Sequence, residues 1–209
     1  VFIPGVRRVR LTSWSARFEI FVGNNMFTLR ETGLPGCFEV MPRQISDVRG
    51  RFIKTFHAPS YSQLGLETEF VEEYYTTSHR GVLRGLHFQI PPADHAKLVY
   101  CVAGSVFDAV LDLRKDSPTY GRFAHLELSE EKRNLLYVPR GIAHGFTTIS
   151  DECTMIYKVT SVHSPAEDAG IRWDSAGIPW PGSNFIISER DQSFPGLSQY
   201  NSPFRMKQV

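Results

Sequence analysis

Residues 81–89 read Gly-Val-Leu-Arg-Gly-Leu-His-Phe-Gln, and residues 139–145 read Pro-Arg-Gly-Ile-Ala-His-Gly. Each segment begins with a turn-forming residue and continues with β-forming residues, which is typical of a short strand that follows a turn. Because side chains alternate along a strand, His87 and Gln89 are expected to lie on one face of the first segment. The two segments therefore predict two histidine-bearing strands.

Short β-type runs recur from Gly36 onward, separated by breakers rich in Gly, Pro, Asp and Ser. These runs are residues 37–41, 51–56, 69–76, 98–102, 106–113, 122–128, 134–138, 145–149 and 154–159. Many short strands at this spacing are typical of a β-sandwich or a barrel. Helical periodicity is nearly absent, apart from a turn or two predicted at 60–66 and a short turn at 129–133. An all-β fold follows.

The chain of 209 residues is the length of one large domain. We assign residues 26–209 to that domain, with a turn-rich C-terminal tail from Ser183 that is expected to wrap over it. Residues 1–25 are mildly basic and are interpreted as an N-terminal appendage of unknown role, an upstream extension or a poorly ordered segment.

Charge and cysteine content exclude several classes of protein. The chain has 23 Lys and Arg residues and 22 Asp and Glu residues. The resulting net charge of +1 does not support binding of nucleic acid through the overall charge of the protein. No apolar run reaches the roughly 18–20 residues of a membrane span. The three cysteines, Cys37, Cys101 and Cys153, are odd in number and widely spaced, which favours a reducing compartment and a cytoplasmic protein.

The Pro-x-Gly-x-x-His pattern at 139–144 resembles the second signature of the cupin jelly roll, a double-stranded β-helix. The first cupin signature has His-x-His with a downstream Glu, whereas Gln89 stands at its second position here. Two imidazoles without a carboxylate make a poor site for a divalent ion, so no metal is expected. With Arg84 and Lys97 nearby, the residues predict a cupin-type barrel with a polar, cationic pocket.

Further motifs follow in order along the chain and resemble those of the dTDP-4-dehydrorhamnose 3,5-epimerase family. The resemblance runs from about Phe38 to Leu197 and is carried by residues 81–89, 96–99, 106–108, 112–121, 139–146, 157–158 and 170–174. It implies a cofactor-free isomerase that inverts the carbons flanking the ketone of a nucleotide-linked 4-keto-6-deoxyhexose. It also implies a homodimer and a role in deoxysugar supply for cell-surface polysaccharide, such as dTDP-rhamnose for lipopolysaccharide.

Inversion next to a ketone requires a base, a cation that stabilises the enolate, and an acid on the other side of the ring. The resemblance places His87 as the base and Asp191, in an irregular tail, as the carboxylate that orients it. It places Lys97 as the cation and Tyr157 as the acid. If their roles are only structural, His87 is a barrel histidine whose hydrogen bonds are made within the protein. Lys97 is then a solvated lysine at a strand end, and Tyr157 is an ordinary strand tyrosine.

The resemblance also implies a set of substrate-binding residues. Arg84 and His144 are expected to surround the ketone and the pyrophosphate, with Asp108 paired to His144 and Gln89 beside the base. Arg114 has two readings, a phosphate contact or a side chain that ties down its turn.

Departures from the family pattern fall in the nucleotide half of the site. Where the family often has Arg-Gly-Phe-Phe-x-Glu, residues 49–54 keep Arg49 as an anion contact and Phe52 as a base-stacking face but place Lys54 at the Glu position. Glu72 replaces an amide in the next motif. These inverted charges leave the base open between thymine and cytosine, that is, between dTDP- and CDP-linked sugars. Val162 and His163 replace a pocket aromatic, which leaves open whether one or both centres are inverted.

Three other functions remain as alternatives. A silent cupin that binds a sugar nucleotide would have no need of His87, Lys97 and Tyr157 together. A metal cupin would need a ligand where Gln89 stands, and metal analysis of the purified protein would reveal it. A nucleotide-sugar ketoisomerase would give a 3-keto product, whereas an epimerase keeps the ketone at C4.

Overall fold

The computed structural model of the protein describes residues 7–8, 19–21 and 26–206. The strands are β1 Arg7–Arg8, β2 Glu19–Phe21, β3 Phe27–Glu31, β4 Phe38–Pro42, β5 Gln44–Asp47, β6 Gly50–Ile53, β7 Glu72–His79, β8 Leu83–Gln89, β9 Lys97–Ala103, β10 Ser105–Asp112, β11 Phe123–Ser129, β12 Leu135–Val138, β13 Ile142–Thr148, β14 Glu152–Val159 and β15 Asp168–Gly170. The helices are α1 Ala58–Gln63, α2 Glu189–Ser193 and a 3-10 turn at Leu197–Gln199.

The strands form two antiparallel sheets and a separate hairpin. The larger sheet has the order β1-β2-β3-β4-β12-β9-β14-β7, the smaller sheet has the order β11-β10-β13-β8-β15, and β5 pairs only with β6. Non-consecutive neighbours such as β12 and β9, or β13 and β8, reflect the long crossovers of a jelly roll. The predicted all-β fold is confirmed.

The core lies between the two sheets. Val99 and Met155 of the larger sheet pack in one buried cluster with Val110 and Phe146 of the smaller sheet. Two further clusters cover the outer faces of the sheets. On the smaller sheet, Trp180 and, from the C-terminal tail, Phe204 and other residues pack beside apolar strand residues. Tyr61 of α1 packs in the same way on the larger sheet. The inner faces of the two sheets thus hold the main core and, beside it, a cavity lined by residues of both sheets.

Two glycines bring β8 and β13 unusually close together. A Cβ on Gly145 would lie 2.7 Å from the carbonyl oxygen of Arg84 and 3.1 Å from the Cα of Gly85. No larger residue fits there without displacing backbone, and the pairing register shifts at this point, between His144 and Phe146. The same pairing sets His144 directly opposite His87. The two histidine-bearing strands of the sequence analysis are therefore neighbours.

The N-terminal stretch is described only at 7–8 and 19–21, where β1 pairs with β2 and β2 pairs with β3. The interpretation of residues 1–25 as an appendage falls mostly outside the described residues. Within the described ranges, none of the helices is long and apolar enough to cross a membrane.

Candidate active site

A cavity of about 410 Å³ opens between the two sheets. The smaller sheet contributes Arg84, His87, Phe88, Gln89, His144, Phe146 and Asp168 to its lining. The larger sheet contributes Glu72, Tyr74, Thr76, Lys97, Tyr157 and Val159, and three residues outside the strands complete it, His95, His163 and Arg190. Seven of the residues predicted for the site from the sequence line this one cavity.

His87 is held by a buried carboxylate at the cavity wall. Its Nε2 lies 2.9 Å from Oδ1 of Asp191, and the other oxygen of Asp191 accepts a hydrogen bond from the Gly85 backbone N–H at 3.0 Å. Asp191 is 2% exposed and lies in helix α2, whose N-cap Ser188 accepts from its backbone N–H. The expectation that Asp191 lies in an irregular tail is wrong, because this capped helical turn fixes the carboxylate behind His87.

The surroundings shift the pKa of both members of this pair. Burial lowers the pKa of His87, and the charges of Lys97 and Arg190 lower it further, against the opposing effect of Asp191. Burial alone would raise the pKa of Asp191, but hydrogen bonds from His87, Gly85 and Arg190 outweigh it and hold that pKa below its usual range. The carboxyl is thus ionised and the imidazole is neutral near pH 7, as a general base requires.

Lys97 is buried on the floor of the cavity. Its Nζ donates to the backbone carbonyl of His87 at 3.1 Å. Burial lowers its pKa to about 8, although Asp168 and Asp108 act in the opposite direction. A buried ammonium with remaining N–H donors can stabilise an oxyanion in the cavity.

Tyr157 lies on the larger sheet, on the other side of the cavity from His87. Its ring stacks on that of Tyr74, with centroids 4.8 Å apart and planes 12° apart. Burial raises the pKa of Tyr157 well above its usual value, so the phenol keeps its proton at neutral pH. The cavity therefore has an imidazole on one sheet and a protonated phenol on the other.

A second histidine–carboxylate pair lies beside the first. Nε2 of His144 is 2.8 Å from Oδ2 of Asp108, and Asp108 is fully buried. Arg84 reaches the cavity from the same sheet while its guanidinium donates to the hydroxyl of Ser78 at 3.0 Å. The predicted pairing of Asp108 with His144 is present in this geometry.

Two predicted substrate contacts have their side chains engaged by the protein. The amide of Gln89 donates to the carbonyl of Ala93 at 2.8 Å and accepts from the N–H of Ser164 at 2.7 Å. Glu72 accepts from the N–H of His163 at 2.8 Å. Within the described ranges, no group of three or more His, Cys, Asp or Glu is placed to hold a metal ion.

Three predicted residues lie elsewhere. Arg49, Phe52 and Lys54 are on or beside the β5–β6 hairpin, outside the lining of this cavity. Arg49 pairs with Asp47 at the exposed turn, and Phe52 is 60% exposed. Arg114 is buried in a two-pronged contact with Asp112, which supports the reading that it ties down its turn.

Several residues of the cavity lining are not predicted from the sequence. Tyr74 and Thr76 follow Glu72 at intervals of two, so strand alternation could have placed all three on the face that carries the site. His95 stands two residues before Lys97, and Arg190 stands next to Asp191. Asp168 carries no local signal, because it reaches the cavity only through the pairing of β15 with β8.

Replacing Asp191 by Asn is expected to lower turnover by about 10²–10⁴-fold, because the amide cannot stabilise the imidazolium that forms and can hold the wrong tautomer. Loss of the negative charge also lowers the pKa of His87, which moves the acid limb of the kcat/KM profile to lower pH. Steady-state rates across pH measure both effects. Asp174→Asn, which breaks an exposed pair with Arg172, is the control. Near wild-type rates for Asp191→Asn would show that Asp191 does not assist His87 as a base.

Comparison with known proteins gives consistent matches over most of the chain. Residues 31–199 match the family model described as dTDP-4-dehydrorhamnose 3,5-epimerase. A protein of that name from Methanothermobacter thermautotrophicus is 42% identical over 83% of this chain and 96% of its own. A dTDP-4-dehydrorhamnose 3-epimerase from Streptomyces niveus is 38% identical over 78% of this chain and 81% of its own.

A solved structure shares the fold. The dTDP-6-deoxy-D-glucose-3,5-epimerase of Legionella pneumophila, in complex with dTDP-4-keto-L-rhamnose, aligns with a TM-score of 0.83 and 31% identity. The alignment covers 87% of this chain and all of that one.

Proposed function

The chain belongs to the dTDP-4-dehydrorhamnose 3,5-epimerase family, and from that premise we propose how its cavity acts. The protein is an isomerase that converts dTDP-4-dehydro-6-deoxy-D-glucose to dTDP-4-dehydro-L-rhamnose by inverting C3 and C5. One observation supports this most directly: His87, backed by Asp191, and Tyr157 enter one cavity from opposite sheets.

Opposite placement is what inversion next to a ketone needs. His87 takes the proton from the carbon α to the C4 ketone, and the electron pair of the broken C–H bond moves into an enolate. The Tyr157 phenol then gives its proton to the other face of the same carbon, which restores the ketone with inverted geometry. His87 releases its proton and Tyr157 regains one by exchange with solvent, so the enzyme is reset.

The enolate oxygen is the charge that the site must stabilise. Lys97 is the donor proposed for it, because its buried ammonium lies beside the base and carries N–H bonds not used by the His87 carbonyl. Arg84 and His144 are proposed for the polar groups around the ketone and the pyrophosphate. Asp108 holds His144 in one orientation.

The base-reading residues Arg49, Phe52 and Lys54 are proposed to act across a homodimer, on the nucleotide bound by the partner subunit. What supports this is the exposed apolar hairpin, where Ile45 is 52% and Phe52 60% exposed. Gln89 and Glu72 are proposed to shape the pocket through the loops that they hold. A cytoplasmic location stays a prediction.

The protein is expected to sediment at twice the mass of one chain, because exposed apolar surface of this kind is normally buried against a partner. Analytical ultracentrifugation measures the mass. Phe52→Asp, which places a charge on the exposed hairpin, is expected to shift the protein toward monomer, and Tyr120→Asp on another exposed surface is the control. A monomeric wild type would contradict the proposed role of the hairpin.

The reaction itself is tested by proton NMR in deuterated water with dTDP-4-keto-6-deoxyglucose, with and without chelator. Deuterium entering both C3 and C5, at a rate that the chelator leaves unchanged, is the expected result. Exchange at C3 alone would make the protein a 3-epimerase, as its Streptomyces niveus relative is named, and would direct attention to His163. No exchange would leave the fold in place and favour a binding protein.

The nucleotide is tested in the same experiment with the CDP-linked sugar. The dTDP sugar is expected to be preferred, because the named relatives act on dTDP sugars. A preference for the CDP sugar would mean that Lys54 and Glu72 have changed the base specificity.

A further inference from the structure

Arg190 makes a set of contacts that the reaction described above does not use. Its guanidinium places Nη2 2.8 Å from Nε2 of His87 and Nε 3.1 Å from Oδ1 of Asp191. Nη1 donates to Oδ2 of Asp168 at 2.7 Å, and the guanidinium carbon lies 5.6 Å from the centre of the Phe194 ring. Four contacts thus fix one side chain at the wall of the cavity.

Two of these groups compete for one ring nitrogen. Arg190 has only donors, so its contact with Nε2 requires a lone pair there. Asp191 at neutral pH has only acceptors, so its contact with the same Nε2, at 2.9 Å, requires a proton there. The two hydrogen bonds cannot exist together, and each one selects a different form of the imidazole.

The two forms differ in whether His87 can act as a base. Within the part of the chain that the structure describes, Nδ1 of His87 has no hydrogen-bond partner, so it is the nitrogen left to meet a substrate. When the proton is on Nε2 and shared with Asp191, the lone pair is on Nδ1 and can take a proton. When the proton is on Nδ1, Nε2 accepts from Arg190 and the base is withheld.

We propose that Arg190 is a positioning residue for the base: it competes with Asp191 for Nε2 and so sets how much of His87 is in the reactive tautomer. The proposal rests on the proposed function, since it concerns the same base. Exchange between the two forms moves one proton from Nδ1 to solvent and one from solvent to Nε2. It requires no other reactant.

Other charged and titratable groups also surround His87, and each of them is unchanged in the Arg190 variants. They come from every strand or helix packed against it and are Lys97 on β9, Asp168 on β15, His144 on β13 and Asp191 on α2. Among the residues that the structure describes, only Arg190 combines a positive charge with a direct contact to the ring, so its removal isolates the effect.

The test is a nitrogen-15 NMR titration of the histidine rings in Arg190→Gln, Arg190→Lys and wild type, with His87 assigned by its loss in His87→Asn. In Arg190→Gln, we expect the signal to move toward the Nε2–H tautomer and the His87 midpoint to rise by about one pH unit, because a nearby positive charge is lost. Arg190→Lys keeps the charge and is expected to keep the wild-type midpoint. Arg205→Gln, which breaks an exposed pair with Asp116, is the control and is expected to leave the titration of His87 unchanged.

The same change is measured kinetically. In Arg190→Gln, the acid limb of the kcat/KM profile is expected to move to higher pH together with the titration midpoint of His87. A purely structural role for Arg190 would leave that limb in place. The proposal is overturned if Arg190→Gln leaves both the tautomer and the midpoint of His87 as in wild type. Failure of the proposed function would instead be seen as no isotope exchange by the wild-type enzyme, and the titration would still decide the role of Arg190.

Discussion

His87→Asn is expected to abolish isotope exchange at C3 and C5 together, with a fall of about 10³–10⁴-fold at each carbon. Both carbons flank the same ketone, and His87 is an imidazole of the cavity wall whose paired carboxylate, Asp191, has a pKa held below its usual range. Asn retains polarity at the position but cannot bind a proton near pH 7. Proton NMR in deuterated water follows the two carbons separately.

A loss of rate has to be separated from a loss of fold or of binding. His79→Asn is the matched control, because that imidazole pairs with Glu152 at the surface and does not line the cavity. Calorimetric titration with dTDP is expected to give similar affinity for wild type and His87→Asn. If exchange at one carbon survives in His87→Asn while the other is lost, a second base must serve that carbon. His144 would be the next residue to test.

The sheets could be predicted from the sequence where burial is strong. Strand β10, predicted at 106–113, lies at 105–112, because its mostly buried apolar residues carry the β signal directly. Strand β13 begins three residues before the predicted 145–149, because Ala143, His144 and Gly145 interrupt its apolar pattern. Strand β7 was predicted at 69–76 but lies at 72–79, because as an edge strand it is mostly exposed and its hydrophobic alternation is weak. The three-residue strand β15 is defined by its pairing with β8 and has no periodicity of its own.

The residues of the site also differ in how well the sequence predicts them. His87, Lys97 and Tyr157 lie in ordered motifs, and their shared cavity follows from the strands that carry them. The contact of Arg190 with Asp168 joins residues 22 positions apart through a half-exposed side chain, which resembles an ordinary surface arginine in the sequence. The place of such a residue in the site can be recognised only from the structure, in which α2 and β15 lie at one wall of the cavity. Sequence motifs therefore predict residues that lie in ordered motifs, Asp108 among them, better than a side chain such as Arg190 that reaches the site from outside those motifs.

Tyr157→Phe is expected to separate isotope exchange from inversion. His87 and Asp191 are untouched, so abstraction continues and deuterium enters the substrate within about tenfold of the wild-type rate. Reprotonation from the far face has lost its donor, so formation of the inverted product is expected to fall by about 10²–10³-fold. The proton then returns mainly from the His87 side, with retention of configuration. Proton NMR measures the exchange, and a coupled reductase assay measures the inverted product.

Tyr75→Phe removes a neighbouring phenol that is 71% exposed and does not line the cavity, so it controls for loss of a hydroxyl alone. The stacking of ring 157 on Tyr74 is kept by Phe, which makes misfolding of Tyr157→Phe a poor explanation for any loss. If exchange and inversion fall by the same factor, Tyr157 acts before the enolate forms, as a group that binds or polarises the ketone. If neither falls, the acid on the larger sheet is another group, and the assignment of opposite faces to His87 and Tyr157 is wrong.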